Sequence, residues 1–308
     1  MAPIRLAIVG LGKIARDQHI PAIAATEAIE LVAVASRNAA LEGVAHFATL
    51  DEMLADGADI DAVALCTPPQ VRRAQAEAAL AAGKHVLLEK PPGATVSELA
   101  PLVAAAEASG RTLFATWHSR FAPAVEPARV FLAERAIRSV IIEWKEDVRV
   151  WHPGQEWIWE PGGLGVFDPA INALSILTRI LPRPVFLTKA HLAFPANRDA
   201  PIAAELDLSD AAGVPIRAEL DFLQTGPQTW DIRVETDAGQ LVLSSGGARL
   251  VHDGAVLVDK KEEEYRGIYA RFVALIRSGQ SDVDLAPLAL VADAFLLGRR
   301  SFAEPFEY

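Results

Sequence analysis

Short apolar runs alternate with helix-period segments over the first third of the chain. Five runs that are buried on both faces in the predicted sheet fall at 4–9, 31–36, 62–66, 85–89 and 112–116. Helix-period segments separate them at 14–25, 71–82 and 96–109, with a short fourth one that begins at a Thr49 cap. This rhythm predicts a Rossmann-type, doubly wound α/β domain with a parallel sheet.

The pattern changes after residue 117. Apolar and polar positions alternate at 140–148, 185–194, 203–208, 216–222, 230–236 and 240–243, which is typical of half-buried antiparallel strands. Helical segments follow the 3.6-residue period at 169–180, 265–278 and 287–299. We expect a first domain over 1–119 and a second, α+β domain over 120–308 with a large open, mostly antiparallel sheet. Whether helix 287–299 packs back on the first domain, and whether the open sheet forms a homo-oligomer, stay open.

Composition narrows the class of protein. The 308 residues are 51% hydrophobic and carry a net charge of −11, so a folded chain is expected and binding to nucleic acid or an anionic membrane is not. Cys66 is the single cysteine, which excludes an internal disulfide or a thiolate cluster. No signal-peptide or membrane-spanning pattern is visible, and we expect a cytoplasmic enzyme.

A glycine-rich turn directly follows the first predicted strand and opens the first helix. Its sequence is Gly10-Leu11-Gly12-Lys13-Ile14-Ala15. In this context Gly10 permits the tight turn, Gly12 lets the backbone approach a pyrophosphate, and Lys13 and Ile14 begin the helix whose N-terminus binds it. The turn predicts a dinucleotide site.

The end of the second predicted strand indicates which dinucleotide binds. An NAD-selective site places a carboxylate there, whereas this chain has Ser36-Arg37-Asn38. A hydroxyl, a guanidinium and an amide suit a 2′-phosphate. We expect NADP as the preferred cofactor, with NAD also used.

Two further loops follow predicted parallel strands and are expected to face the same crevice. Thr67 and Pro68 follow the third strand, Glu89 and Lys90 end the fourth, and we expect all four to bind the cofactor. Together with Gly10–Ala15, these segments resemble the Gfo/Idh/MocA oxidoreductase family. That resemblance implies a Rossmann domain, an open-sheet second domain, NAD(P)-dependent oxidation or reduction of sugars and cyclitols, and a catalytic role for Lys90.

A second group of candidate residues lies in the loop and helix after Gly162-Gly163. Asp168-Pro169 has the form of a helix N-cap, which is its structural interpretation. In the family this stretch carries a catalytic aspartate and, four residues later, a histidine. Asp168 matches, but Asn172 replaces the histidine and cannot take a proton. The resemblance therefore implies that the general base is Asp168 or another nearby group.

Aromatic and polar residues before this helix indicate a sugar-binding surface. Glu146 is a carboxylate on the apolar face of its strand, so it is paired or functional. His152, Trp151 and Trp159 follow in a tryptophan-rich loop, where indoles and polar groups suit a sugar ring. His152 is either a general base or a ligand of a hydroxyl. The histidines lack metal-ligand spacing, and no metal is expected.

Together with these features, the resemblance implies an oxidoreductase that transfers hydride from the anomeric carbon of an aldose of the L-arabinose or D-galactose type to NAD(P), giving the lactone. The segment 144–159 with Asp168 and Asn172 resembles the aldose 1-dehydrogenase branch of the family. An inositol dehydrogenase or a carbonyl or imine reductase on the same scaffold is an alternative. A non-enzymatic NADP-binding regulator is an alternative of another class.

Overall fold

A computed structural model describes residues 2–261 and 263–308, and these divide into two units. Unit 1 contains the residues up to His118 together with Tyr265–Asp284, and unit 2 contains Ser119–Glu264 and Leu285–Tyr308. Unit 2 begins at Ser119 and residues 265–284 belong to unit 1, whereas the sequence analysis expects two continuous domains, 1–119 and 120–308. The segment assigned to unit 1 is therefore the one before the predicted helix 287–299, which itself lies in unit 2.

Unit 1 is built on a six-stranded parallel sheet. Its strands are β1 Ile4–Val9, β2 Ile29–Ala35, β3 Ala45–Phe47, β4 Ala62–Leu65, β5 His85–Leu88 and β6 Leu113–Ala115. Their order is β3-β2-β1-β4-β5-β6, with all neighbours parallel. This is the order of a doubly wound Rossmann sheet, so the predicted fold class is confirmed. The short β3 was not predicted.

Nine α-helices lie in the described residues. They are α1 Ile20–Ala24, α2 Leu50–Ala55, α3 Pro69–Ala81, α4 Leu99–Ser109, α5 Val125–Leu132, α6 Val148–Trp151, α7 Phe167–Ile180, α8 Glu264–Ser278 and α9 Ala286–Leu297. A π-helical turn, Ala15–His19, runs directly into α1, whose first turn holds Pro21. Thr49 caps α2 as predicted, because its hydroxyl accepts from the Glu52 N–H at 3.2 Å.

Unit 2 is built on a nine-stranded mixed sheet. Its strands are β7 Ile137–Lys145, β8 Val185–Pro195, β9 Ala203–Asp210, β10 Pro215–Asp221, β11 Thr229–Thr236, β12 Gly239–Ser244, β13 Arg249–His252, β14 Ala255–Asp259 and β15 Arg299–Ala303. The order is β14-β13-β12-β11-β7-β10-β9-β8-β15, antiparallel except for the β7–β10 and β8–β15 pairs. The large, mostly antiparallel sheet was predicted; β13, β14, β15, α5 and α6 were not.

One face of this sheet is apolar and packs inside unit 2. In β11, Ile232 and Val234 are buried, whereas Asp231 and Arg233, which alternate with them, are partly exposed, as predicted. Within residues 2–261 and 263–308, no helix combines the length and apolar character needed to cross a membrane.

Candidate active site

The glycine-rich turn of unit 1 is fixed by the neighbouring strand. Gly10 has φ +90°, and a Cβ atom there would lie 2.9 Å from the Thr67 Cγ2 atom. Its N–H donates to the Ala35 carbonyl at 2.9 Å, so the turn lies beside the carboxyl ends of β2 and β4. Both the conformation and the close approach require glycine at this position.

At Gly12, unlike Gly10, the surrounding protein atoms do not explain the glycine. A Cβ atom there would have no protein atom within 4 Å, so packing inside the protein does not demand glycine. Lys13 follows at the start of the first helix and pairs with Asp17, and Ile14 is 36% exposed despite its apolar side chain. Open space before a helix N-terminus fits a bound pyrophosphate.

The residues after β2 provide a cationic group at the same edge of the sheet. Ser36 is half-buried and Arg37 is exposed. Among the described residues, none pairs with the Arg37 guanidinium. Arg37 is therefore available to a phosphate, and the site fits NADP as well as NAD.

A buried arginine, which the sequence analysis missed, joins the two loops expected to line the crevice. Arg72 lies on α3 and is 3% exposed. Its guanidinium donates to the carbonyl oxygens of Thr67, Glu89 and Pro91. The loop that carries Thr67 and Pro68 is thereby tied to the loop that carries Lys90. The Lys90–Pro91 peptide is cis.

Lys90 and Glu89 occupy different environments although they are neighbours. Lys90 is half-buried at the carboxyl end of β5, as predicted. Glu89 is 3% exposed, and its Oε2 atom accepts the Lys90 backbone N–H at 2.7 Å. The carboxylate therefore faces the protein interior, where it supports the loop.

In unit 2, glycines hold the loop before α7 against neighbouring backbone. A Cβ atom on Gly163 would overlap the Trp157 carbonyl oxygen, and one on Gly165, which has φ +55°, would overlap the Pro201 carbonyl oxygen. The helix then begins at Phe167, so Asp168 lies in its first turn and is not the N-cap that Asp-Pro indicated. Asp168 is 2% exposed.

His152 lies between two buried carboxylates. Its Nε2 atom is 3.2 Å from Oε1 of Glu146, and its Nδ1 atom is 3.6 Å from Oδ2 of Asp168. Glu146 is 1% exposed. The three residues come from the end of β7, the turn after α6 and the start of α7. The structure thus brings together three residues that the sequence analysis proposed separately.

An aromatic cluster covers Glu146. Trp144 stacks on Trp230 with ring centroids 6.0 Å apart, and Trp151 lies 4.8 Å from Trp230. Trp151 is 39% exposed, so one part of its indole is accessible to a ligand. The Trp230 N–H donates to Oε2 of Glu146 at 2.9 Å. The sequence pattern indicates Trp230 only as a strand residue.

Trp159 is an anchor for its loop. It is 2% exposed, its N–H donates to the Tyr308 hydroxyl at 3.1 Å, and its ring lies 5.1 Å from that of Phe306. The Asn197 and Arg198 side chains bind the Phe306 carbonyl oxygen. The last residues of the chain therefore pack against the loop that contains His152, a contact that no local pattern indicates.

Asn172 lies one turn after Asp168 on α7. Its Oδ1 atom is buried and has no hydrogen-bond partner among the described residues. An unpaired amide oxygen retains the capacity to accept a hydroxyl proton. In the described parts of the chain, no group of three His, Cys, Asp or Glu side chains is arranged to hold a metal ion.

The sheet order of unit 1 and its glycine-rich turn define a dinucleotide-binding oxidoreductase. Residues 4–116 match the GFO_IDH_MocA family model, described as an oxidoreductase family with an NAD-binding Rossmann fold. A galactose 1-dehydrogenase from Pseudomonas fluorescens is 49% identical over 306 residues, which cover 99% of each chain. The chain belongs to the Gfo/Idh/MocA oxidoreductase family.

Solved structures agree with this fold. The crystal structure of a D-galactose-1-dehydrogenase protein from Rhizobium etli is 60% identical, has a TM-score of 0.95, and is matched over 100% of this chain and 99% of that one. A 3-ketoreductase from Actinomadura kijaniata, crystallised with TDP-benzene and NADP, is 20% identical with a TM-score of 0.85, over 98% and 99% of the two chains. At that identity the likeness concerns the fold alone.

Proposed function

We propose that this protein is an NADP-preferring aldose 1-dehydrogenase that oxidises the anomeric carbon of D-galactose or L-arabinose to the lactone. The observation that carries the proposal is the placement of His152 between the buried carboxylates of Glu146 and Asp168. Full-length similarity to two galactose 1-dehydrogenases supports the substrate class. The unpaired Arg37 supports NADP.

The reaction removes a hydride from C1 and a proton from its hydroxyl, leaving the lactone carbonyl. The bound nicotinamide supplies the hydride acceptor. Asp168 takes the hydroxyl proton, a role worth about 10²–10⁴ in rate, and His152 orients its carboxylate. Lys90 donates to the anomeric oxygen and stabilises the negative charge that develops there.

The remaining polar groups of unit 2 bind the other hydroxyls. Glu146 accepts hydrogen bonds from sugar hydroxyls while Trp230 and His152 hold its carboxylate in place. Asn172 offers its buried amide oxygen. The exposed indole of Trp151 packs against the C–H face of the sugar.

A substrate panel tests this function. Aldoses that include D-galactose, D-glucose and L-arabinose are compared with myo- and scyllo-inositol, using NADP⁺ and NAD⁺ and following the absorbance of the reduced cofactor. We expect the highest kcat/KM with D-galactose or L-arabinose and NADP⁺. Trapping the product with hydroxylamine is expected to yield the hydroxamate of a lactone.

One variant and one control test the role of Asp168 as the proposed base. Asp168→Asn keeps the shape of the side chain but cannot take a proton, and we expect kcat to fall by about 10²–10⁴. Arg138→Ala, an exposed position on β7, serves as the control and is expected to leave kcat unchanged. A preference for inositols, or Asp168→Asn with wild-type kcat on every aldose, contradicts the proposal.

A further inference from the structure

The carboxylate that supports Lys90 belongs to a buried polar network inside unit 1. Oε1 of Glu89 accepts a hydrogen bond from the Tyr265 hydroxyl at 2.7 Å and lies 3.1 Å from Nε2 of His19. The other ring nitrogen of His19 lies 2.6 Å from the Tyr269 hydroxyl oxygen. His19 is 0% exposed. Every hydrogen-bonding site on the imidazole is therefore occupied by a side chain.

The network joins parts of the sequence that lie far apart. His19 ends the π-helical turn that follows the glycine-rich turn, and π-helical turns occur frequently at functional sites. Tyr265 and Tyr269 lie one turn apart on α8, which the chain reaches only after most of unit 2. Two separate elements, the π-helical turn and α8, thus converge on the residue before Lys90.

The network keeps Glu89 ionised. Burial alone raises the pKa of this carboxyl, but the hydrogen bond and charge of His19, the charge of His118 and the Tyr265 hydroxyl outweigh it and lower the pKa to about 2. Hydrogen bonds to an ionised carboxylate are stronger than those between neutral groups, and the Lys90 N–H makes one of these bonds to Glu89.

The groups around His19 favour the charged form of its imidazole. Burial lowers the pKa of His19, but Cys66, Tyr269 and Glu89 raise it well above the ordinary 6.5. Burial also raises the pKa of Tyr269, so this hydroxyl stays neutral. His19 and Glu89 form a buried ion pair, and an apolar pair of similar volume is often as stable as such a pair.

The ion pair lies directly before Lys90, and Glu89 accepts the Lys90 backbone N–H. We propose that Glu89, held by His19 and Tyr265, is a positioning residue that fixes the backbone of Lys90 and therefore the reach of its side chain. Arg72 holds the Glu89 carbonyl oxygen from the other side. The inference rests on the proposed function, because it assumes that Lys90 acts in the reaction.

A double-mutant cycle tests this positioning role. His19→Gln and Tyr265→Phe are each made in the wild-type chain and in Lys90→Ala, and kcat and KM are measured for the best sugar and for NADP⁺. In the wild-type background we expect His19→Gln to lower kcat by about ten- to a hundredfold, as misplacement of a catalytic group does. KM for NADP⁺ is expected to change less than about twofold. Tyr265→Phe keeps the ion pair and is expected to have a smaller effect in the same direction.

In the Lys90→Ala background, neither variant has a lysine to misplace. We expect each to change kcat by less than about twofold there, because effects that act through one residue do not add. Equal losses in both backgrounds overturn the positioning role while leaving the role of Lys90 intact. Wild-type kcat in Lys90→Ala overturns the role of Lys90 itself. Should His19→Gln fail to fold, the Tyr265→Phe cycle decides the question.

Discussion

The indole of Trp230 donates its N–H to Oε2 of Glu146 at 2.9 Å, although the two residues are far apart in the sequence. The bond is possible because β11 pairs with β7, which places Trp230 opposite Trp144 and close to the residue that follows the strand. It occupies one oxygen of the carboxylate, and the other oxygen lies 3.2 Å from His152. One hydrogen bond therefore sets the orientation of a carboxylate in the proposed substrate site.

Trp230→Phe removes this donor and keeps an aromatic ring in the stack. A hydrogen bond to a charged group contributes about 1.5–3 kcal/mol, so we expect KM for the sugar to rise about ten- to a hundredfold. Steady-state kinetics on the best sugar measures it. The matched control is Trp144→Phe, because the buried Nε1 atom of Trp144 has no hydrogen-bond partner among the described residues. A larger effect in the control contradicts the role given to Trp230.

Arg37→Ala removes the cation proposed to bind the 2′-phosphate. Loss of one charge-assisted contact is expected to lower the NADP-to-NAD ratio of kcat/KM by about ten- to a hundredfold. The ratio is obtained from initial rates with each cofactor at saturating sugar. Arg138→Ala, a second exposed arginine, is expected to leave the ratio as it is. An unchanged ratio in Arg37→Ala means that the preference has another origin.

Arg72→Met keeps the length of a buried side chain but leaves three carbonyl oxygens without their donor. Because each unsatisfied buried acceptor costs about 1–3 kcal/mol, we expect the free energy of unfolding to fall by about 3 kcal/mol or more. Urea denaturation measures this change. Arg73→Ala next to it loses only an exposed pair with Glu77, and an effect of at most about 0.5 kcal/mol is expected. Similar effects from the two arginines would mean that Arg72 does not hold the loops.

The buried pair of His19 and Glu89 predicts a pH-dependent stability. Since the pKa of His19 is raised on folding, its stabilising effect is complete below pH 6.5 and is lost as the pH rises towards the raised value. The pKa of Glu89 is about 2, so the carboxylate stays ionised throughout this range. The difference in unfolding free energy between the wild type and His19→Gln is expected to shrink from pH 6 to pH 9 in urea titrations. A constant difference contradicts the ion pair.

The end of the chain offers a matched pair of phenylalanines. Phe306 is 4% exposed against Trp159, whereas Phe302 on β15 is 83% exposed. Phe306→Ala is expected to lower the free energy of unfolding by about 3 kcal/mol and to raise KM for the sugar, since the loop that holds His152 loses its support. Phe302→Ala is expected to change stability by less than about 0.5 kcal/mol. Thermal denaturation and sugar kinetics of the two variants check this.

The elements with a clear period were predictable from the sequence. β1 spans Ile4–Val9 in both the prediction and the structure, because an apolar run that stops at glycine has one interpretation. The missed strands lack such a signal. β3 has only three residues, and β14, Ala255–Asp259, is almost entirely exposed, so no buried face imposes an alternation.

Some residues of the candidate site were likewise predictable from the sequence, and others were not. Glu146 and His152 could be proposed because each stands out locally, as a carboxylate on an apolar face and a histidine among tryptophans. For Asp168 the local signal, an aspartate before proline, indicates only a helix N-cap, and its catalytic role is implied by the family resemblance. Arg72 and Trp230 resemble an ordinary helix residue and an ordinary strand residue. Their roles depend on strand pairing and on buried carbonyl groups, and neither is encoded in nearby sequence.

The composition of unit 1 also affects the order in which the two units can fold during synthesis. Its edge strand β6 pairs with the backbone of Asp282, and Glu89 accepts a hydrogen bond from the hydroxyl of Tyr265. Both partners leave the ribosome only after residues 119–264, so the N-terminal unit, which most two-domain chains complete first, here stays unfinished during synthesis of the other. A nascent chain that stops before Tyr265 leaves a sheet edge uncovered and a buried carboxylate short of a donor.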